Sequence, residues 1–419
     1  MSLLEVTDLE VSFSTPDGLV RAVRGVSFEV DRGRTLGIVG ESGSGKSVST
    51  QTLMGLTPGA RVSGRALFEG ADLLTAGERR MRQIRGAEIA MIFQDPLSSL
   101  HPLYRVGRQI EEMIRAHEPG TGRDAARKRA VEMLGTVGIP QPARRAEEYP
   151  HEFSGGMRQR AMIAMALALN PKLIIADEPT TALDATVQAQ ILDLMRRLQR
   201  EYDTALIMIT HDLGVIADMA DDVLVMYGGK AAEKARRRPL YYRPHHPYTK
   251  GLLQSTPSAA AGADRLRPIP GQPPSLINIP SGCVFHPRCE YVMDRCVTDE
   301  PVLDPVTGGD DPTHVSACWL PLEALGLGED AERLRRRAVE EGRVRVRPAA
   351  AALDGAPESS GAVDALAHDQ DVDMEAGMDA GTDAGSGADG GASAHRRDGR
   401  PEGEGEGDGG GARGDGGAA

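Results

Sequence analysis

The sequence predicts an α/β fold built on a parallel core sheet. Short, continuous apolar runs are typical of strands buried on both faces. Helical patterns separate these runs, and buried strands that alternate with helices indicate a parallel sheet. The apolar runs lie at 35–39, 89–93, 173–176 and 205–209. The helical patterns lie at 45–56, 105–116, 123–137, 156–169, 186–201 and 212–219.

An antiparallel layer is predicted at the N-terminal end. Residues 4–14 and 20–30 both alternate apolar and polar side chains, as half-buried strands do. The turn signal Pro16-Asp17-Gly18 lies between them. We therefore expect a hairpin that adds a second, antiparallel sheet to the core.

Composition divides the 419 residues into three parts. We expect a folded domain over 1–255, with a helical insertion at about 96–172, and a smaller extension over 256–345. The extension begins with a proline-rich stretch at 257–280, which is typical of an extended linker. Residues 346–419 are acidic, rich in Gly and Ala and without aromatic side chains, so we predict a disordered tail.

The net charge of −13 belongs almost entirely to the tail, because residues 351–419 carry 16 acidic and 4 basic side chains. The body is nearly neutral, which argues against a general nucleic-acid binder. The longest apolar run, 161–169, is far shorter than the roughly 20 residues of a membrane-spanning helix. The N-terminus lacks a signal-peptide pattern, so we expect a protein of the cytosol.

A phosphate-binding loop is predicted at residues 40–47, which read G-x-x-x-x-G-K-S. The loop follows a buried strand and opens a helix, so backbone N–H groups and the helix N-terminus can face phosphate oxygens. We expect Lys46 to reach the β- and γ-phosphates and the Ser47 hydroxyl to bind Mg²⁺. The nucleotide-binding residues predicted here are Gly40, Glu41, Ser42, Gly43, Ser44, Gly45, Lys46, Ser47 and Val48.

Two adjacent carboxylates end the apolar strand at 173–176. Asp177 is predicted to hold Mg²⁺, directly or through water. Glu178 is predicted to polarise the attacking water as a general base. A strand that ends in Asp-Glu is common by itself, and its pairing with a phosphate loop makes it informative.

Further motifs in the same order resemble those of the ATP-binding-cassette (ABC) ATPases. Residues 153–160, Phe-Ser-Gly-Gly-Met-Arg-Gln-Arg, resemble the signature motif of that family. The resemblance implies an ATPase that uses ATP and Mg²⁺ and that requires a second cassette, because the signature segment caps the γ-phosphate held by the other subunit. The residues that it assigns are Phe13 for adenine stacking, Gln94 for magnesium and catalysis, His211 for catalysis, and Ser154, Gly155, Gly156 and Asp184 for nucleotide contacts.

Four segments resemble one subfamily, the oligopeptide, dipeptide and nickel importer ATPases. These segments are 93–102, 149–153, 157–160 and 246–253, although His101 stands where the group usually has Asn. The resemblance implies import of peptides, with nickel or another small solute as an alternative. A soluble ABC ATPase that acts on nucleic acid or ribosomes is the rival class.

This resemblance also implies partners and a location. The expected partners are a second, homologous ATPase subunit, two transmembrane permease subunits and an extracytoplasmic substrate-binding protein, and no nucleic acid is expected. The chain would then lie peripherally on the cytoplasmic face of the inner membrane.

All four cysteines lie in the extension, at Cys283, Cys289, Cys296 and Cys318. Disulfides are rare in cytosolic proteins, and the spacing lacks the C-x₂-C pairs of a zinc ribbon. Four thiolates can hold a four-iron cluster, and the importer group carries this cysteine pattern, with a [4Fe–4S] cluster in some members. Zinc and metal-free burial remain the alternatives.

Overall fold

The computed structural model describes residues 2–181, 183–255, 267–306 and 311–320. The predicted tail at 346–419 and the first part of the predicted linker lie outside the described residues. The described strands are β1 Ser2–Thr15, β2 Gly18–Asp31, β3 Thr35–Val39, β4 Arg61–Phe68, β5 Ala71–Asp72, β6 Ile89–Ile92, β7 Leu173–Asp177, β8 Ala205–Thr210, β9 Asp222–Tyr227, β10 Lys230–Arg236, β11 Asp304–Pro305 and β12 Val315–Ser316.

Helices fill most of the intervals between strands. The described α-helices are α1 Lys46–Leu53, α2 Glu78–Ile84, α3 Pro96–Ser99, α4 Val106–His117, α5 Arg123–Thr136, α6 Pro142–Arg145, α7 Gly155–Leu167, α8 Ala185–Tyr202, α9 Leu213–Met219, α10 Arg237–Tyr242, α11 Pro247–Ser255 and α12 Asp294–Thr298. Short 3₁₀ turns occur at Pro150–Glu152 and His286–Arg288.

The core sheet is parallel at its centre, as predicted. In the described residues its strand order is β11-β12-β10-β9-β3-β8-β7-β6, and β9, β3, β8, β7 and β6 run parallel. Strands β3, β7 and β8 are buried along their whole length because both faces are covered. Their carboxyl ends therefore meet at one edge of the sheet, where open α/β sheets bind ligands.

The predicted N-terminal hairpin is confirmed. Strands β1 and β2 pair antiparallel from Ser2–Asp31 to Thr15–Gly18, and the second sheet has the order β2-β1-β4-β5. Its inner face packs Leu4, Val6 and Phe28 against Ile38 and neighbouring residues of the core sheet. The other face of the core sheet packs against the helices, including α4, α5, α7 and α8.

The described part of the extension is joined to the core sheet. Strand β12 pairs antiparallel with β10, with Ser316 opposite Glu233, and β11 pairs with β12. Residues 267–280 form neither helix nor strand, in keeping with the predicted extended chain. They nevertheless contact the N-terminal sheet, because the Arg21 N–H donates to the Leu276 carbonyl at 3.1 Å.

Candidate active site

The phosphate loop lies between the carboxyl end of β3 and the start of α1. Its tight curl requires glycine at two positions. A Cβ on Gly40 would lie 2.2 Å from the Met226 carbonyl oxygen, and one on Gly45 would lie 2.3 Å from that of Ala22. Gly45 also has a φ of 93°, in the left-handed region that favours glycine.

Lys46 is almost fully buried against this loop. Its Nζ donates to the carbonyl oxygens of Gly40 at 2.8 Å and Glu41 at 2.9 Å. Burial lowers the pKa of Lys46, while the carboxylates of Glu178, Asp177 and Glu41 act in the opposite direction. The ammonium is therefore held among backbone oxygens, beside the carboxylates that favour its charged form.

Ser47 and Asp177, two of the three predicted magnesium ligands, meet directly, whereas the third, Gln94, contacts Glu178. The Ser47 hydroxyl donates to Oδ1 of Asp177 at 2.7 Å. Burial raises the pKa of Asp177, and the Ser47 hydrogen bond opposes this shift. Magnesium is usually bound by one or two protein oxygens together with phosphate oxygens and water, so this pair has the right chemistry for Mg²⁺ beside a nucleotide.

The three predicted catalytic side chains lie together. Glu178 Oε2 accepts hydrogen bonds from Gln94 Nε2 at 3.4 Å and from the Thr181 hydroxyl at 2.9 Å, and Oε1 lies 3.3 Å from His211 Nδ1. Gln94 and His211 come from the ends of β6 and β8, on either side of β7, so the parallel sheet brings them to Glu178. Sequence reasoning missed Thr181, which follows Glu178 by three residues.

Backbone conformation sets the direction of Glu178. Its φ is 44°, a left-handed value that is uncommon for a residue other than glycine. Its N–H donates to the Ile209 carbonyl of β8 at 2.9 Å, which ties the turn to the sheet. Such backbone outliers often occur at functional sites.

The predicted signature segment lies at the start of α7. Ser154 is exposed and caps this helix, with its hydroxyl accepting from the Met157 N–H at 3.4 Å. A Cβ on Gly156 would lie 2.9 Å from Val187 in α8, so the segment packs beside that helix. Asp184 caps α8 by accepting from the Val187 N–H at 2.9 Å.

Phe13 lies in β1 opposite Val20 and is half-buried. It packs against the hydrophobic core between the two sheets. Its contact with adenine therefore stays a prediction.

Comparison with known proteins identifies the family of this chain. The family model described as "ABC transporter" matches residues 23–181, and the model described as "Oligopeptide/dipeptide transporter, C-terminal region" matches residues 232–296. The oligopeptide transport ATP-binding protein OppD of Bacillus subtilis (strain 168) is 53% identical over 322 residues, covering 76% of this chain and 88% of that protein. This chain belongs to the family of ABC transporter ATP-binding proteins for oligopeptide and dipeptide transport.

Other members and a solved structure extend the comparison. OppD of Salmonella typhimurium is 50% identical, and the match covers 77% of this chain and 95% of that protein. DppD, a dipeptide transport ATP-binding protein of B. subtilis, is 51% identical, and the match covers 76% of this chain and 94% of that protein. A dimeric ATP-binding cassette in a post-hydrolysis state, bound to ADP and phosphate, matches with a TM-score of 0.51 at 26% identity. The match covers 56% of this chain and 99% of that one. The family fold and the ABC ATPase assignment are thus confirmed.

The C-terminal family region contains Cys283, Cys289 and Cys296, and Cys318 lies beyond it. All four cysteines line one cavity of about 10 Å³. Backbone N–H groups of Tyr291 and Leu320 donate to the sulfurs of Cys289 and Cys318.

Burial raises the pKa of Cys283 to about 11, so this thiol is protonated at neutral pH. Four thiols suit a metal centre chemically. As they are placed, however, no three Cys, His, Asp or Glu side chains of the described residues are arranged so that they could hold a metal ion. A cluster does not fit this arrangement without movement of the side chains.

Among the described residues, no helix is both long enough and apolar enough to cross a bilayer.

Proposed function

We propose that this chain is the ATP-hydrolysing subunit that energises import of dipeptides and oligopeptides through a membrane ABC transporter. The observation that carries the proposal is the convergence of Gln94 and His211 on Glu178, in a chain that is about half identical to peptide transport ATP-binding proteins. Lys46 and the Ser47–Asp177 pair add the predicted phosphate- and magnesium-binding side chains at the phosphate loop.

The proposed chemistry is phosphoryl transfer to water, in which positioning and charge stabilisation do most of the work. The loop N–H groups and Lys46 hold the β- and γ-phosphates. Ser47 and Asp177 would hold Mg²⁺, which neutralises phosphate charge when bound. Glu178 takes a proton from the attacking water, and Gln94 and His211 orient that carboxylate and the water.

A second cassette completes the proposed site. Ser154 and Gly155 are exposed and Gly156 is half-buried at the start of α7, and a helix start offers N–H groups and a dipole end to an anion. They would cap the γ-phosphate held by a homologous ATPase subunit, and the dimeric cassette that matches this fold supports such pairing. Asp184 would contribute from the neighbouring helix cap.

Exposed apolar side chains mark the surface proposed to meet the permease subunits. Leu103 is 77% exposed, Tyr104 is 41% exposed and Phe93 is 37% exposed. They flank Gln94 and the start of the helical insertion, so nucleotide-driven movement there would reach a partner. The chain would bind two permeases at the cytoplasmic face of the inner membrane, with an extracytoplasmic protein delivering the peptide and no nucleic acid involved.

A mild-detergent pull-down of the tagged full chain from its native membranes, analysed by mass spectrometry, tests this function. We expect two polytopic subunits, a second cassette and a substrate-binding protein. Titration of that binding protein with peptides and with Ni²⁺ then separates peptide from nickel import. Recovery of ribosomal or nucleic-acid factors alone would contradict the transport function while leaving the ATPase intact.

We further propose that the four cysteines hold a [4Fe–4S] cluster once their side chains reorient. The proposal is supported by their common cavity and by the two N–H···S contacts. Anaerobic purification should give a brown protein with about four irons and four acid-labile sulfides per chain. The Cys296→Ser variant should lose both. A colourless wild-type protein, or one that contains only zinc, would contradict the cluster.

A further inference from the structure

The second residue of the phosphate loop is bound by the C-terminal extension. Arg288 donates from its two terminal guanidinium nitrogens to the two carboxylate oxygens of Glu41, at 2.6 and 3.0 Å. This is the bidentate arrangement in which Arg and a carboxylate bind most strongly. The two residues are 247 positions apart, so the contact joins the extension directly to the loop.

Several hydrogen bonds hold the side chain of Arg288 in place. It is only 7% exposed, and its Nε donates to the Pro270 carbonyl at 2.8 Å. One terminal nitrogen also donates to the Tyr227 hydroxyl at 3.2 Å. All three guanidinium nitrogens therefore have partners, and the fork has one orientation.

A second contact from the C-terminal family region reaches the same loop residue. The Glu41 N–H donates to the hydroxyl of Tyr248 at 2.7 Å, and Tyr248 is fully buried. The Tyr248 ring packs against Tyr227 and Phe285, with centroids 4.5 and 5.4 Å apart. The backbone and the side chain of Glu41 are thus both held by residues outside the nucleotide motifs.

Glu41 in turn contacts the residue that would bind phosphate. Its carbonyl oxygen accepts from Lys46 Nζ at 2.9 Å. An unbroken series of contacts therefore runs from Arg288 through Glu41 to Lys46. Because Arg288 pairs with the carboxylate of Glu41, it also neutralises a negative charge next to a loop that must accept a polyanion.

We propose that Arg288 is a positioning residue for ATP binding, which neutralises Glu41 and fixes the part of the phosphate loop that orients Lys46. The inference rests on the proposed ATP site and assigns the extension a role in it. Two unit charges roughly 10 Å apart, in an effective dielectric near 20, interact strongly enough to change a binding constant by about tenfold. Loss of Arg288 should therefore weaken ATP binding by about that factor.

The test is a double-mutant cycle on the full chain, read by equilibrium binding of Mg-ATP. Arg288→Met should bind Mg-ATP about tenfold more weakly, because Glu41 is left unpaired. Adding Glu41→Gln should restore most of the lost affinity, because it removes the uncompensated charge. Arg288→Lys keeps the charge without the fork and should fall between wild type and Arg288→Met.

Glu300→Gln is the matched control. Glu300 also joins the extension to the body, through ion pairs with Arg24 at 2.8 Å and Lys230 at 2.7 Å, but these side chains do not belong to the phosphate loop. We expect this variant to bind Mg-ATP like wild type. Melting curves of all variants show whether they are folded.

The possible results distinguish a failure of the proposed function from a failure of the positioning role of Arg288. A wild-type chain that fails to bind Mg-ATP contradicts the proposed function itself. If the wild type binds Mg-ATP, the positioning role is contradicted by either of two results. One is an affinity of Arg288→Met equal to that of the wild type. The other is an affinity of Glu300→Gln as low as that of Arg288→Met. If Arg288→Met does not fold, Arg288→Lys provides the test, and an affinity for Mg-ATP equal to that of the wild type contradicts the positioning role.

Discussion

At the scale of single residues, the predicted ATP site is a group of polar and charged side chains that contact one another. Lys46 is surrounded by three carboxylates, and Asp177 is paired with Ser47. Glu178 receives contacts from side chains on both neighbouring strands. These contacts lead to two predictions, one for chemistry and one for stability.

Glu178→Gln should bind ATP and hydrolyse it about 10²–10⁴-fold more slowly, the usual cost of losing a general base. The amide keeps the size of the side chain and its contact with the Thr181 hydroxyl, so the fold is expected to stay intact. Steady-state phosphate release and equilibrium ATP binding measure the two effects separately. Turnover close to that of the wild type would rule out Glu178 as the base.

Asp177→Asn should stabilise the nucleotide-free protein at neutral pH while abolishing magnesium-dependent hydrolysis. Burial raises the pKa of Asp177 in the folded protein, so the protonated carboxyl is the form that favours folding. The free energy of unfolding therefore falls as the pH rises through the folded-state pKa and the carboxyl ionises. Asn supplies the neutral form at all pH values and still accepts from Ser47. We expect a higher melting temperature at pH 7 and no gain below the ordinary Asp range near pH 3.8. A lower melting temperature at pH 7 would contradict this prediction.

At the scale of secondary-structure elements, β10 connects the body to the extension through a buried charge. Glu233 is fully buried and accepts from the backbone N–H groups of His245 and His246 at 2.7 and 3.0 Å. It also binds His314 Nε2 at 2.6 Å. One carboxylate thus joins β10, the segment before α11 and the chain leading to β12.

Glu233→Ala should lower the free energy of unfolding by about 3–5 kcal/mol, because it leaves buried partners unpaired. Thermal or denaturant unfolding of the full chain measures the loss. Glu29→Ala is the matched control. Glu29 is 65% exposed and lies 3.9 Å from Lys234, which is next to Glu233 in β10. We expect this variant to change the free energy of unfolding by less than about 1 kcal/mol. Equal losses in the two variants would contradict this account of Glu233.

The sequence predicted three of the fully buried strands closely but missed β9, which is buried from Val223 to Tyr227. Strands β3, β7 and β8 are continuous apolar runs and were located almost to the residue. Strand β10 was not predicted, because Lys-Ala-Ala-Glu-Lys-Ala-Arg carries charged and Ala residues that are poor strand formers. It forms a strand because pairing with β9 and β12 outweighs that preference.

At the scale of the whole molecule, the described part of the extension contacts the predicted phosphate loop at Glu41. Local motifs predicted Lys46, Ser47, Asp177 and Glu178, because phosphate and magnesium chemistry needs fixed residue types at the ends of strands. The Arg288–Glu41 and Tyr248–Glu41 contacts could not be predicted, since no local spacing relates residues more than 200 positions apart. Tertiary packing alone brings them together.

The most direct test of the whole account is peptide uptake by the native complex, purified with this chain and reconstituted into vesicles. We predict that the wild-type complex accumulates a labelled oligopeptide only when ATP is on the side of this chain. The complex with Glu178→Gln should assemble and bind ATP without accumulating peptide. Peptide accumulation by that variant, or ATP hydrolysis by the wild-type complex without peptide uptake, would contradict the account.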